Sequence, residues 1–162
     1  MSVILGIDNP SYAMSIGSLW RVCYNFDIKE FFTIGKRYED YNLCIELCIC
    51  IPLKVADNVR LQNYDTFFDA KDKYKDYTFI ASLFPLYEPD IYTSKHKLIK
   101  LSDYEHPENA VYMFGPERGK FEVLESFDDI ITIPIGNRCF NIATAAAILL
   151  YDRWLKKRDK NE

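Results

Sequence analysis

Two uninterrupted apolar runs in the C-terminal part of the chain constrain its fold more than any other feature. Val111-Tyr112-Met113-Phe114 is stopped by Gly115-Pro116, and the run from Ile130 to Ile135 is stopped by Gly136-Asn137. Runs this short, apolar throughout and bounded by turn residues, read as buried strands that end in tight loops. A helix is expected next. Asn141 can cap it, while Ile142, Ala145, Ala146, Leu149 and Leu150 recur at helical spacing and Lys156, Lys157 and Arg158 suit the negative end of its dipole. The run Ala145-Ala146-Ala147 lets another backbone approach this helix closely.

The same alternation runs through the rest of the chain. Ser2 to Ile7 reads as a strand ending at Asp8-Asn9-Pro10, and Ala13 to Phe26 as a helix with Met14, Leu19, Val22, Cys23 and Phe26 on its apolar positions. Phe31 to Ile34 reads as a strand broken by Gly35, so the chain opens on a βαβ crossover. From Tyr38 to Asn58 the pattern blurs, and Leu43 to Ile51 fits a buried strand or the core face of a helix. Phe67, Phe68 and Lys71 suggest a short amphipathic helix within Asp65 to Tyr74, and Tyr77 to Leu83 a further strand. Pro85 to Lys100 reads as an exposed loop carrying Lys95, His96, Lys97 and Lys100, ending in the strand Leu98 to Leu101. With no repeat, linker or low-complexity tract, residues 1–162 are expected to form a single α/β domain on a mainly parallel sheet flanked by helices.

Composition excludes some functions. The 49% hydrophobic and 15% aromatic content belongs to an ordered domain, and the net charge of −4 gives no general attraction to nucleic acid. Any RNA contact must come from local basic groups, and the group of Lys95, His96, Lys97 and Lys100 reads first as a solvated face, with RNA contact the alternative. The N-terminus lacks the basic segment of a signal peptide and no stretch of about 18 apolar residues occurs, so a cytoplasmic protein with no membrane contact is expected. Cys44, Cys48 and Cys50 follow C-x3-C-x-C, one residue short of the cluster motif of radical methyl-transfer enzymes, and read as reduced core thiols. Neither His96 nor His106 has a second ligand at metal-binding spacing, so no metal is expected.

Longer motifs carry a resemblance. Tyr104-Glu105-His106-Pro107-Glu108-Asn109-Ala110-Val111-Tyr112-Met113-Phe114-Gly115-Pro116-Glu117 is similar to the aromatic-x-HPE-x-x-VY-x-x-GPE motif of the SpoU (TrmH-like) branch of the SPOUT RNA methyltransferases. Ile133-Pro134, Cys139-Phe140-Asn141 and Leu150-Tyr151-Asp152-Arg153 follow in the family's order, and Pro10 with Ser15-Ile16-Gly17 and Arg21 resembles its first motif.

The resemblance implies a SPOUT-type α/β knot, with the cofactor-binding knot at about 111–154, no appended RNA-binding domain, and a homodimer. It implies S-adenosylmethionine as methyl donor and a ribose 2′-hydroxyl of RNA as acceptor, tRNA being favoured over rRNA because no separate RNA-binding domain is present. Arg21, Glu117 and Asn141 match its catalytic positions, and Ser15, Arg21 and Arg118 its RNA contacts. Met113, Phe114, Gly115, Glu117, Gly119, Ile133, Pro134, Ile135, Cys139, Phe140 and Asn141 match its cofactor cleft. Three positions depart from the pattern: Ser15 replaces the favoured Asn, Cys139 the favoured Ser, and Lys120 a frequent Gly. The departures leave open a fold kept for binding without catalysis, and related knotted enzymes that methylate bases leave open a base as the acceptor.

Overall fold

The computed structural model describes residues 2–35, 57–83, 97–116, 121–134 and 140–158. Within them lie strands β1 (Ser2–Asp8), β2 (Glu30–Ile34), β3 (Arg60–Tyr64), β4 (Thr78–Leu83), β5 (Leu98–Lys100), β6 (Asn109–Phe114) and β7 (Asp129–Thr132). The helices are α1 (Ala13–Asn25), α2 (Phe67–Lys73) and α3 (Ile142–Arg158), with short 3-10 turns at Leu101–Asp103 and Leu124–Ser126. The strands form one seven-stranded sheet in the order β3-β2-β1-β6-β4-β7-β5. Every neighbouring pair is parallel.

A parallel sheet is covered on both faces, which is why its central strands are apolar without alternation. On one face Leu5, Ile7, Tyr112, Phe114 and Ile131 pack with Ile16, Leu19, Trp20 and Cys23 of α1 and with Ala146, Leu149 and Leu150 of α3. On the other, Phe32, Val111, Met113, Phe79 and Ile130 pack with Phe67 and Ala70 of α2 and with Phe121 and Phe127. Gly6 is required at the centre of this second face. A Cβ there would lie 2.2 Å from Met113 Sδ and 2.6 Å from Phe32 Cζ. A capping box starts α2, where Thr66 Oγ1 accepts from Asp69 N at 3.2 Å and Asp69 Oδ2 accepts from Thr66 N at 3.0 Å.

The expected βαβ opening, the short amphipathic helix and the long C-terminal helix are all present. Three readings need correction. β7 stops at Thr132 rather than running to Ile135, as suits a chain whose Pro134 has no N–H for the ladder. β5 stops at Lys100, and Leu101 starts a 3-10 turn. β3 was not anticipated, because Arg60-Leu61-Gln62-Asn63-Tyr64 is a half-exposed edge strand with little apolar signal. Leu43 to Ile51 with its three cysteines, and the loop with Lys95 and His96, lie outside the described residues.

Two later strands insert between earlier ones: β6 between β1 and β4, and β7 between β4 and β5. The connections whose path decides a knot run through 84–96, 117–120 and 135–139, also outside the described residues.

A buried polar chain fixes α3 on the sheet. Arg153 is 5% exposed, and its guanidinium donates to Pro107 O at 2.6 Å, Glu108 O at 2.9 Å and Tyr112 Oη at 3.0 Å. His106 lies next in the chain of contacts, with Nδ1 2.5 Å from Tyr112 Oη and Nε2 2.9 Å from Asp152 Oδ2. A carboxylate only accepts, so Nε2–H donates to Asp152 and Nδ1 accepts from the tyrosine hydroxyl, whose oxygen in turn accepts from Arg153. Burial holds the His106 imidazole down at about 4, against the raising effect of Asp152. It is therefore a neutral core histidine with both nitrogens used.

Arg153→Met keeps much of the apolar stem and removes all three donated bonds. It is expected to lower the unfolding free energy by about 2–4 kcal/mol. Urea denaturation would show this as a fall in midpoint at unchanged slope, and a shift below about 0.5 kcal/mol would mean the clamp does not hold the helix.

Candidate active site

All seven strands point the same way, so every strand-end loop that could hold a ligand opens on one edge of the sheet. From β1 the chain builds outward through β2 and β3, then crosses to the other side of β1 for all later strands. The topological switch point therefore lies between the carboxyl ends of β1 and β6, the place where an open α/β sheet forms the crevice that takes its ligands. The last registered pair there is Ile7 with Phe114, which puts Asp8 level with Gly115. Gly115 is a notch, since a Cβ on it would stand 3.1 Å from Phe121 Cε2. On the neighbouring strand end, Asn9 turns the chain with a φ of 42°, and its N–H donates to Ile34 O at 3.0 Å.

Asp8 gives this edge its electrostatic character. Burial, and then the nearby Glu122 carboxylate, push its pKa up to about 6. At neutral pH it is a half-buried negative charge, which attracts a cationic ligand and repels a bare phosphate. At the end of β7, Thr132 is 4% exposed and its Oγ1 has no hydrogen-bond partner among the described residues. The comparably buried Thr33 on β2 differs, for its Oγ1 accepts from Asn63 Nδ2 at 2.8 Å. A glycine notch, a half-buried carboxylate and an orphaned hydroxyl on one edge fit a cationic donor with a polar heterocycle, such as S-adenosylmethionine.

The sequence-derived site residues divide into three groups. Met113 and Phe114 are buried, with side chains committed to the two opposite cores, so a ligand beside them meets backbone. Ile133 is buried, Pro134 exposed and Phe140 half-buried against the α1–α3 face. Asn141 caps α3, its Oδ1 accepting from Thr144 N at 2.9 Å and Thr144 Oγ1 at 3.2 Å, which leaves its amide nitrogen available to donate. These residues share the carboxyl edge with Gly115.

Ser15 and Arg21 stand apart from that group, on α1. Ser15 is half-buried in the first turn, near the edge, and Arg21 lies six residues on, roughly 9 Å along the helix axis. With Met14 and Ser18, Arg21 lies on the exposed stripe of α1. Glu117, Arg118, Gly119, Lys120, Ile135 and Cys139 are outside the described residues.

Sequence reasoning passed over Asp8 and Thr132, although each had a visible signal. Asp8 is the polar end of an apolar strand, and Thr132 interrupts the apolar run just before Ile133-Pro134. A groove of about 650 Å³ does open at the opposite, amino edge, beside Phe26, Glu30 and Trp154. Several of its charged groups are engaged: Lys29 pairs with Asp27, Lys157 with Glu108, and Arg153 donates to carbonyls. Among the described residues no cluster of three His, Cys, Asp or Glu side chains could hold a metal ion.

Comparison with known proteins agrees with this fold. The family model of the SpoU rRNA methylases matches residues 2–151. The A. aeolicus TrmH/SpoU tRNA modifying enzyme superposes with a TM-score of 0.72 at 15% identity, over 99% of this chain and 77% of that one. AviRb from Streptomyces viridochromogenes, in complex with AdoMet, gives 0.76 at 12% identity over 98% of this chain and 61% of that one. A structure bearing on the 2-OH methylation of C/U34 on tRNA gives 0.73 at 17% identity, over 98% of this chain and 97% of that one. At such identities the likeness is one of fold, and no curated protein matches the sequence.

The raised pKa of Asp8 sets a pH dependence. The folded chain holds this proton more tightly than the unfolded chain, whose carboxyl titrates near 3.8. The stability that the protonated form contributes is therefore lost as pH rises from about 3.8 through about 6. Asp8→Asn removes that loss. In denaturant titrations it is expected to be more stable than wild type at pH 7, with the gap closing by pH 4; a gap independent of pH would refute the assignment.

Proposed function

The chain belongs to the SpoU rRNA methylase family, and on that premise we propose that this RNA methyltransferase, with S-adenosylmethionine as donor, methylates a ribose 2′-hydroxyl of tRNA as a homodimer. One observation carries the reading: the Gly115-Pro116 loop, the Ile133-Pro134 segment and the Asn141-capped start of α3 all lie at the carboxyl edge of the sheet. When bound, the donor supplies an electrophilic methyl group on a sulfonium centre.

The protein's task is then largely positioning, because displacement needs the acceptor oxygen close to the methyl carbon and in line with it. Backbone groups around Met113, Gly115, Ile133 and Pro134 hold the donor, and the notch at Gly115 lets the chain approach it. Asp8 favours the donor's positive charge at this edge. The Asn141 amide nitrogen, its oxygen already used in the cap, donates toward the reacting groups. Arg21 binds a phosphate or ribose oxygen of the acceptor and stabilises the charge that develops there, while Glu117 orients Arg21 or anchors the cofactor loop. A guanidinium is a poor proton acceptor, so its contribution is electrostatic.

The position of Arg21 supports a polymeric acceptor and a dimer. It lies on the outer face of α1, so it meets a substrate laid across the helix rather than one confined to the crevice. Large apolar side chains are exposed on the same pair of packed helices: Met14 at 72% and Tyr24 at 40% on α1, Tyr151 at 54% and Trp154 at 51% on α3. A second copy covering them accounts for their exposure.

Incubation with methyl-labelled donor and bulk tRNA or rRNA, followed by nuclease digestion, is expected to yield a 2′-O-methylated nucleoside from tRNA. A labelled base would replace the ribose reading, and no transfer to either RNA with donor binding intact would remove RNA methylation altogether. Arg21→Ala is expected to cut turnover about 100-fold or more while donor affinity stays within about twofold.

A further inference from the structure

Thr132 ends β7 immediately before Ile133-Pro134, with 4% of its surface exposed and a hydroxyl that meets no partner among the described residues. Buried polar groups almost always find partners, and those that do not ask for an explanation. Valine has nearly the same shape and would leave no hydrogen bond unmade, so nothing in packing alone accounts for threonine here. The fold does satisfy a like residue elsewhere, since Thr33 on β2 is matched by Asn63.

Its surroundings define what would suit it. Side chains alternate along a strand, so Thr132 shares its face with Ile130, which belongs to the α2-side core. In register beside it stand Leu83 of β4, which packs on that core, and Lys100 of β5, which is exposed. Among the described residues the hydroxyl thus has mainly apolar neighbours, at the carboxyl edge of the sheet. A single neutral group that both donates and accepts, set among apolar walls, fits an uncharged heterocycle with ring nitrogens or a ribose hydroxyl better than a carboxylate or ammonium.

We propose that the Thr132 hydroxyl is a donor-binding group that hydrogen-bonds the adenosine part of S-adenosylmethionine, an assignment that rests on the function proposed above. The Thr132 hydroxyl gains its hydrogen-bond partner when the nucleoside enters. Thr132 is therefore an affinity determinant contributed by a side chain, beside the backbone groups that hold the donor.

Calorimetric titration of wild type, Thr132→Val and Thr132→Ser with S-adenosylhomocysteine and with 5′-methylthioadenosine tests this, alongside thermal unfolding without ligand. The valine variant is expected to melt at or above wild type, yet to bind both nucleosides about 5- to 10-fold more weakly, the worth of one neutral hydrogen bond. The serine variant should bind both within about twofold of wild type. Unchanged affinity in the valine variant overturns the assignment, as does a variant that melts below wild type, for the hydroxyl would then serve the free protein. A loss confined to S-adenosylhomocysteine also overturns it, because the contact would be to the amino-acid end near Lys100. If wild type itself binds neither compound, the donor reading fails first and this assignment falls with it.

Discussion

The position of α3 depends on one buried cation. Arg153 donates to two backbone carbonyls just before β6 and to Tyr112 within it, so helix and strand are joined near the amino edge of the sheet. His106 and Asp152 extend the contact, and Lys156 adds a 2.8 Å pair to the same carboxylate and bonds to the Leu101 and Tyr104 carbonyls. A cation this deeply buried is tolerated only when its donors are met, and a fully met network permits few alternative packings. Because α3 is a continuous helix, fixing its C-terminal half also fixes where Asn141 begins it. The clamp and the crevice lie at opposite edges of the sheet and are mechanically one unit.

Much of this was legible in the sequence for a physical reason. A strand buried on both faces must be apolar along its whole length, and a loop that turns at its end must use glycine or proline, so β1, β4 and β6 announce themselves. β3 does not, because an edge strand buries little and needs no such run. The end of β7 was overestimated because Ile133 and Ile135 look like strand residues while Pro134 quietly forbids the ladder. The longer motifs pointed to His106, Asp152 and Arg153, but a motif does not say that they touch. His106 and Asp152 stand 46 residues apart, and only the fold makes them a hydrogen-bonded pair.

The site was legible in part. Gly115, Ile133, Pro134 and Asn141 could be gathered from motifs, since each does a job tied to local backbone. Asp8 and Thr132 owe their character to burial and to neighbours distant in the chain. Glu122, far along the chain, acts on Asp8 through its charge, and the isolation of the Thr132 hydroxyl comes from what packs around it. Neither property can be assigned to a residue type, which is why both were passed over.

The strand order also bears on how the chain is made. When residues 1–100 have been synthesised, β1 carries β2 and β3 on one side, while its other side faces a gap that only β6 fills. β4 and β5 are likewise separated by the place of β7, so the growing chain holds three unconnected pieces with bare strand edges. Such edges are templates for pairing with other chains, and contacts so distant in sequence form slowly. The last third of the sequence, which carries the clamp and one wall of the crevice, is thus also what seals the sheet. A truncated product lacking it would be a species for chaperones or proteases to deal with rather than a weaker enzyme.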